Sequence, residues 1–86
     1  MPCVSQFFGI AIYMYYNDHL PPHFHAEYGD EEALFMIRTL EIQSGELPRR
    51  ARALVVEWAS LHRDELLANW EGARQGLSLQ RIEPLD

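Results

Sequence analysis

The chain reads as an α+β domain: an antiparallel sheet of three or four strands packed against one long or bent C-terminal helix, with a short C-terminal strand or coil. Three observations predict this. The N-terminal half is apolar and aromatic, and turn residues cut it into strand-length pieces. At Leu47 the hydrophobic period changes from two to three-and-four. The apolar fraction is 48% and aromatics supply 12% in 86 residues, enough for a core without covalent staples. No linker, repeat or low-complexity tract interrupts it, so residues 1–86 are expected to form a single domain.

The first element predicted is a long strand from Phe7 to Tyr16. Phe8, Ile10, Ile12, Met14 and Tyr16 would share one face, and the small Gly9 and Ala11 would mark a close approach on the other. Asn17-Asp18 and Pro21-Pro22 carry turn chemistry, and Pro22 biases its predecessor away from helix. A second strand is expected over His23–Tyr28, closed by Gly29-Asp30. From Ala33 to Ile42 the apolar phase slips: Phe35 and Ile37 are odd, Leu40 and Ile42 even. Such a slip needs a bulge or a turn, and a hairpin near Arg38-Thr39 is expected. Gly45 then closes the sheet.

From Leu47, the residues Ala51, Leu54, Val55, Trp58, Leu61, His62, Leu66, Trp70 and Ala73 recur at helical spacing. Pro48 suits the first turn and Gly76 the position just past the end. About 28 residues would span roughly 42 Å, so a bend is expected near His62-Arg63-Asp64. The tail keeps Leu77, Leu79, Ile82 and Leu85 for an edge strand or ordered coil.

Cys3 is the only cysteine, which excludes an intramolecular disulfide and a thiolate zinc knuckle. All 7 basic residues are Arg, against 13 acidic ones, for a net charge of −6. That balance opposes non-specific nucleic-acid coating but permits a local arginine patch. The apolar Phe7–Tyr16 stretch is too short to span a bilayer and has no basic residue before it, so a cytoplasmic location without membrane contact is expected.

Function concentrates in Asp18-His19-Leu20-Pro21-Pro22-His23-Phe24-His25-Ala26-Glu27, which holds three of the four histidines. On a strand His23, His25 and Glu27 share a face. Three readings stay open. As a metal site, His23, His25 and Glu27 form H-x-H-x-E, with His19 or Asp18 closing it around a divalent transition metal such as zinc, copper, nickel or iron. As a proton-transfer site, His19, His23 or His25 act as acid and base in metal-independent RNA cleavage. As plain structure, the imidazoles pack on tyrosines and bond turn carbonyls. His62, with Glu65 and Asn69 along the same side of the helix, is a candidate supporting group if it meets His23 or His25. Arg49, Arg50 and Arg52 lie in the first helical turns, where the dipole disfavours cations. They are candidate anion-binding residues, or a solvated face pairing with Glu41, Glu46 or Asp30-Glu31-Glu32. Trp58 and Trp70 fit the core stripe, with Trp70 also suited to docking a partner.

Met14-Tyr15-Tyr16-Asn17-Asp18-His19, Pro21-Pro22-His23-Phe24-His25-Ala26, Tyr28-Gly29, Gly45-Glu46-Leu47-Pro48-Arg49-Arg50, Glu57-Trp58, His62, Glu65-Leu66 and Asn69-Trp70 together resemble a small bacterial family, the domain of unknown function four-one-six-zero. The resemblance runs from about Phe7 to Leu85. Members of such families are commonly encoded beside a second small protein, in an arrangement similar to toxin–antitoxin pairs. The resemblance thus implies a protein partner encoded nearby, and brings no catalytic residues. A regulatory interaction module is the first expectation, a homo-oligomer its variant, and RNA a further candidate partner.

Overall fold

The computed structural model describes residues 3–16 and 18–86; Asn17, part of the expected turn, lies outside the described residues. Five strands, β1 (Cys3–Phe7), β2 (Ile10–Tyr13), β3 (His23–Tyr28), β4 (Glu31–Met36) and β5 (Ile42–Gly45), form an antiparallel meander in chain order. Two helices follow, α1 (Arg49–Leu61) and α2 (Arg63–Arg74). The α+β class holds, but the sheet has five strands rather than three or four, and two helices replace the single one.

The extra strand comes from Phe7–Tyr16, which is not one strand but the turn and second arm of a hairpin. Phe8 and Gly9 have φ of 50° and 79°, so the chain reverses there and Phe7 pairs with Ile10. Two positive-φ residues match the twist of the flanking strands. The reversal also changes the face pattern: Phe7, Ile10, Ile12 and Met14 enter the core, whereas Phe8 is exposed. The phase slip in Ala33–Ile42 is a hairpin as expected. Leu40 has φ 64°, its N–H donates to Met36 O at 2.8 Å, and Phe35 pairs with Ile42.

The helical pattern breaks at His62, whose φ of −125° leaves the helical region. A continuous 28-residue helix of roughly 42 Å would overrun the 34 Å longest dimension of the fold. The break instead lets both helices cover the sheet. The His62 N–H bonds Ala59 O, the His62 carbonyl accepts from Leu66, and Arg63 Nε donates to Ile37 O in the β4–β5 turn. Asp64 and Glu65 in the first turn of α2 favour its start electrostatically. At the far end Gly76 has φ 79°, and paired bonds from Gly76 N to Ala73 O and Leu77 N to Gly72 O close a Schellman motif.

The core lies between one sheet face and the helices. Phe24 and Phe35, paired across β3 and β4, stack at 5.3 Å, and Trp58 packs on Phe7 and Phe24 at 5.4 and 5.9 Å. Ile12, Ala26, Val55, Ala59 and Leu66 complete it, all fully buried. The tail after α2 is coil. Ile82 N bonds Val4 O on β1, Trp58 Nε1 donates to Glu83 O, and Asn69 bonds Gln80 through both its side-chain amide atoms. No helix is long and apolar enough to cross a membrane.

Candidate metal centre

Strand β3 alternates between the two sides of the sheet: Phe24 and Ala26 are fully buried in the core, and His23, His25 and Glu27 fall on the opposite side. The loop between β2 and β3 then returns across the start of β3 and brings Asp18 to the histidines. His23 Nε2 is 2.9 Å and His25 Nε2 3.4 Å from the same oxygen, Asp18 Oδ2. One donor atom from each of Asp18, His23 and His25 lies within 4.8 Å of the others.

The outer nitrogens of both rings are also engaged. His23 Nδ1 is 2.8 Å from Pro21 O, and because a carbonyl only accepts, Nδ1 carries the proton. His23 Nε2 therefore meets the carboxylate either as the second N–H of an imidazolium or as a lone pair with a cation between them. His25 Nδ1 faces Glu32 Oε2 at 3.3 Å. Glu32 reaches it from β4, where His25 pairs with Leu34 and Glu27 with Glu32. Ring orientation by a backbone carbonyl on one side and a carboxylate on the other is the arrangement that presents Nε2 to a metal.

Burial varies across the group. His23 is 1% exposed, and its ring lies against Trp70 at 5.1 Å. The side chains of Asp18 and His25 each keep 19% exposure, so the cluster is reachable from one side. Tyr15 meets His25 edge-on at 4.8 Å. Burial alone would raise the Asp18 carboxyl. The neighbouring His23, the His19 backbone N–H and the bonds from both histidines outweigh it and hold the group below its ordinary pKa. Burial, followed by the Glu32 and Glu27 carboxylates, pushes the Tyr15 phenol up, so it stays protonated near neutrality.

The remaining sequence candidates fall elsewhere. His19 is exposed; its ring is 5.4 Å from that of His23 and its N–H donates to Asp18 Oδ1, so it borders the cluster without adding a convergent donor atom. Glu27 is half-buried on the same side but outside the convergent set. His62 bonds Glu65 Oε1 at 2.5 Å and packs on Trp58, away from β3. Asn69 turns to the tail. Arg49, Arg50 and Arg52 are exposed on α1, and Arg50 lines a groove with Tyr28. Tyr28 stands five residues beyond His23, about 17 Å along the strand. Sequence reasoning missed Glu32, since only the β3–β4 register places it beside His25, and missed that Trp70 closes the buried side of His23.

Fold and cluster together define a small α+β protein with a histidine–carboxylate site at the start of β3, bordered on its buried side by Trp70 of α2. The chain belongs to the family described as Domain of unknown function (DUF4160), whose profile matches residues 9–71. No curated protein and no solved structure gives a significant match.

Proposed function

We propose that this chain is a metal-binding module in which Asp18, His23 and His25 hold one divalent transition-metal ion. One observation carries the reading: three donor atoms converge while the far nitrogens of both rings are held by Pro21 O and Glu32. Ligands about 2.0–2.2 Å from a common ion sit roughly 3.0–3.4 Å apart at octahedral to tetrahedral angles. The observed separations from Asp18 Oδ2, 2.9 and 3.4 Å, lie just below and at the upper end of that range, with all three donor atoms within 4.8 Å of one another. Two imidazoles and one carboxylate suit zinc, nickel or iron, and three protein ligands leave a position open. An ion so held would polarise a bound water or carbonyl on the exposed side.

This arrangement supports the metal reading over metal-independent RNA cleavage. An acid–base pair works best with its imidazoles on opposite sides of the reacting phosphate, whereas His23 and His25 share one carboxylate oxygen. Of the arginines that would hold a phosphate, Arg50 lines a groove with Tyr28, at the other end of β3.

The regulatory role, as one half of a toxin–antitoxin-like pair, is a second reading. Exposed Tyr15, Tyr16 and Leu20 beside the cluster support it as a surface suited to a protein partner. Co-expression with the neighbouring gene product should then yield a stable complex, and recovery of the chain alone would remove this reading.

Titration calorimetry with zinc, elemental analysis after dialysis and the visible spectrum of a cobalt-loaded sample test the metal site. One ion per chain is expected, lost in His25→Ala and Asp18→Asn while circular dichroism stays native. A folded wild-type chain that takes up no zinc, cobalt or nickel stoichiometrically overturns the proposal.

A further inference from the structure

The helices cover one side of the sheet, and an antiparallel sheet whose other side is open ordinarily turns polar side chains outward there. The open side of this sheet departs from that rule. Tyr13, His25 and Leu34 stand directly opposite one another on β2, β3 and β4, so they form one row across it. Met36 continues the row on β4, and Tyr15, 38% exposed, meets His25 edge-on at 4.8 Å. Tyr13, Leu34 and Met36 are half-buried without joining the hydrophobic core. Two residues further along the strands, Glu27 and Glu32 face each other directly, and like charges so placed cost stability. Glu32 touches the His25 ring, and among the described residues neither carboxylate pairs with an arginine. Residues 1–37 contain Asp18, Glu27, Asp30, Glu31 and Glu32 but no Lys or Arg; all 7 arginines come later. Arg38 lies in the turn after β4, and Arg81 is bonded to Cys3 O at the β1 edge, so both are marginal to this face.

We propose that the open sheet face is a docking surface for a protein segment that presents arginine or lysine side chains between apolar ones. Tyr13, Tyr15, Leu34 and Met36 supply contact area, with the aromatic and methionine side chains enriched at interfaces. Glu27 and Glu32 supply the charge that selects a basic partner. A cation placed between them relieves a repulsion that the fold alone carries. Charge decides against the other occupants. A second copy docked face to face would bring two uncompensated acidic surfaces together, and nucleic acid would add its phosphates. The inference rests on the protein-partner reading, to which it gives a surface and a chemistry, and it does not need the metal ion.

Backbone amide NMR of the full chain, titrated with a synthetic peptide of about ten alternating Arg and Leu residues, tests it, with a Glu-Leu counterpart as control. The amides of Tyr13, His25, Glu27 and Leu34 are expected to shift saturably with the first peptide and not with the second. Binding should weaken about tenfold between about 50 and 500 mM salt, as the charges are screened. Glu27→Lys separates docking from folding. It should weaken binding by about tenfold or more while the melting temperature holds or rises, because an opposite-charge pair replaces a like one. Glu71→Lys, the same charge change at an exposed position of α2, should leave binding unaltered. Equal losses in the two variants, shifts confined to the helices or no saturable binding each overturn the proposal. So do shifts of this face with chain concentration alone, which would mark a second copy. Co-expression decides the underlying reading separately: a stable complex with the neighbouring gene product that leaves these amides unshifted keeps the partner and removes this surface.

Discussion

His23 Nε2 stands 2.9 Å from Asp18 Oδ2, and the imidazole is fully buried while the carboxylate keeps 19% of its side chain exposed. The pair spans five residues of chain, closed by the loop through Pro21-Pro22. The Pro21 carbonyl that bonds His23 Nδ1 belongs to that loop, so one short segment supplies both the carboxylate and the carbonyl that hold the imidazole. A charged pair in this position needs its remaining valences satisfied to be favourable. A bound cation would do so with less repulsion than any arrangement of protons that leaves lone pair facing carboxylate.

Glu32 should tune the site without forming it. Its carboxylate faces His25 Nδ1 at 3.3 Å and is half exposed. Glu32→Gln is expected to lower zinc affinity about 10–100-fold with one ion still bound, the range for groups that orient a ligand. Asp18→Asn should abolish stoichiometric binding. Calorimetry on the two proteins side by side distinguishes orientation from ligation, and equal effects would contradict the assigned roles.

Acid should weaken the apo fold through Asp18. Its folded-state pKa lies below the ordinary carboxylate value, so its contribution is complete above about pH 4 and is lost as pH falls through the lower, folded value. The stability difference between wild type and Asp18→Asn should therefore shrink between about pH 5 and pH 2. Urea unfolding at several pH values gives that difference directly; a gap that widens toward acid would contradict the sign.

Two glycines with nearly equal backbone angles should respond differently to alanine. Gly45 and Gly76 have φ of 78° and 79°. A Cβ at Gly45 would collide with Glu32 O and lie 3.0 Å from Ala33 Cα, whereas nothing lies within 4 Å at Gly76. Gly76→Ala is expected to cost about 1–2 kcal/mol, the left-handed penalty alone. Gly45→Ala should cost about 3–4 kcal/mol and disturb the β4–β5 pairing that carries Glu32. Denaturant melts rank them.

Asn69 should hold the tail. Its side chain is 5% exposed, accepts from Gln80 N at 3.0 Å and donates to Gln80 O at 2.9 Å. Asn69→Ala is expected to destabilise by about 1–3 kcal/mol. Amide exchange at Gln80 and at Ile82, which bonds Val4 on β1, should accelerate more than exchange within β3. Uniform acceleration would mean that the tail is not separately tethered.

The α+β class, the β3 strand over His23–Tyr28, the hairpin after Met36 and the stop at Gly76 were all legible as local pattern, because alternation, phase slips and helix-stop glycines are set by a few neighbouring residues. Alternation also put His23 and His25 on one side together. The Phe8-Gly9 reversal was not legible: a bulky ring at positive φ runs against local preference, and unbroken apolar content reads as one strand. The break was legible from the length of the helical pattern, and it falls at His62, within the expected His62-Arg63-Asp64 stretch. That the bend is a full break into two helices follows from how α1 and α2 meet the sheet.

Sequence by itself determined which side chains are available near β3 and which of them share a face. Tertiary structure decided which of these meet. Asp18 joins the histidines through the course of its loop, Glu32 through the register of β4, and Trp70 through the packing of α2; His62 and the three arginines are carried elsewhere by the helices. Short-range periodicity follows from bond geometry within a strand or helix, whereas convergence depends on contacts between segments distant in the chain, which only the packed core brings together.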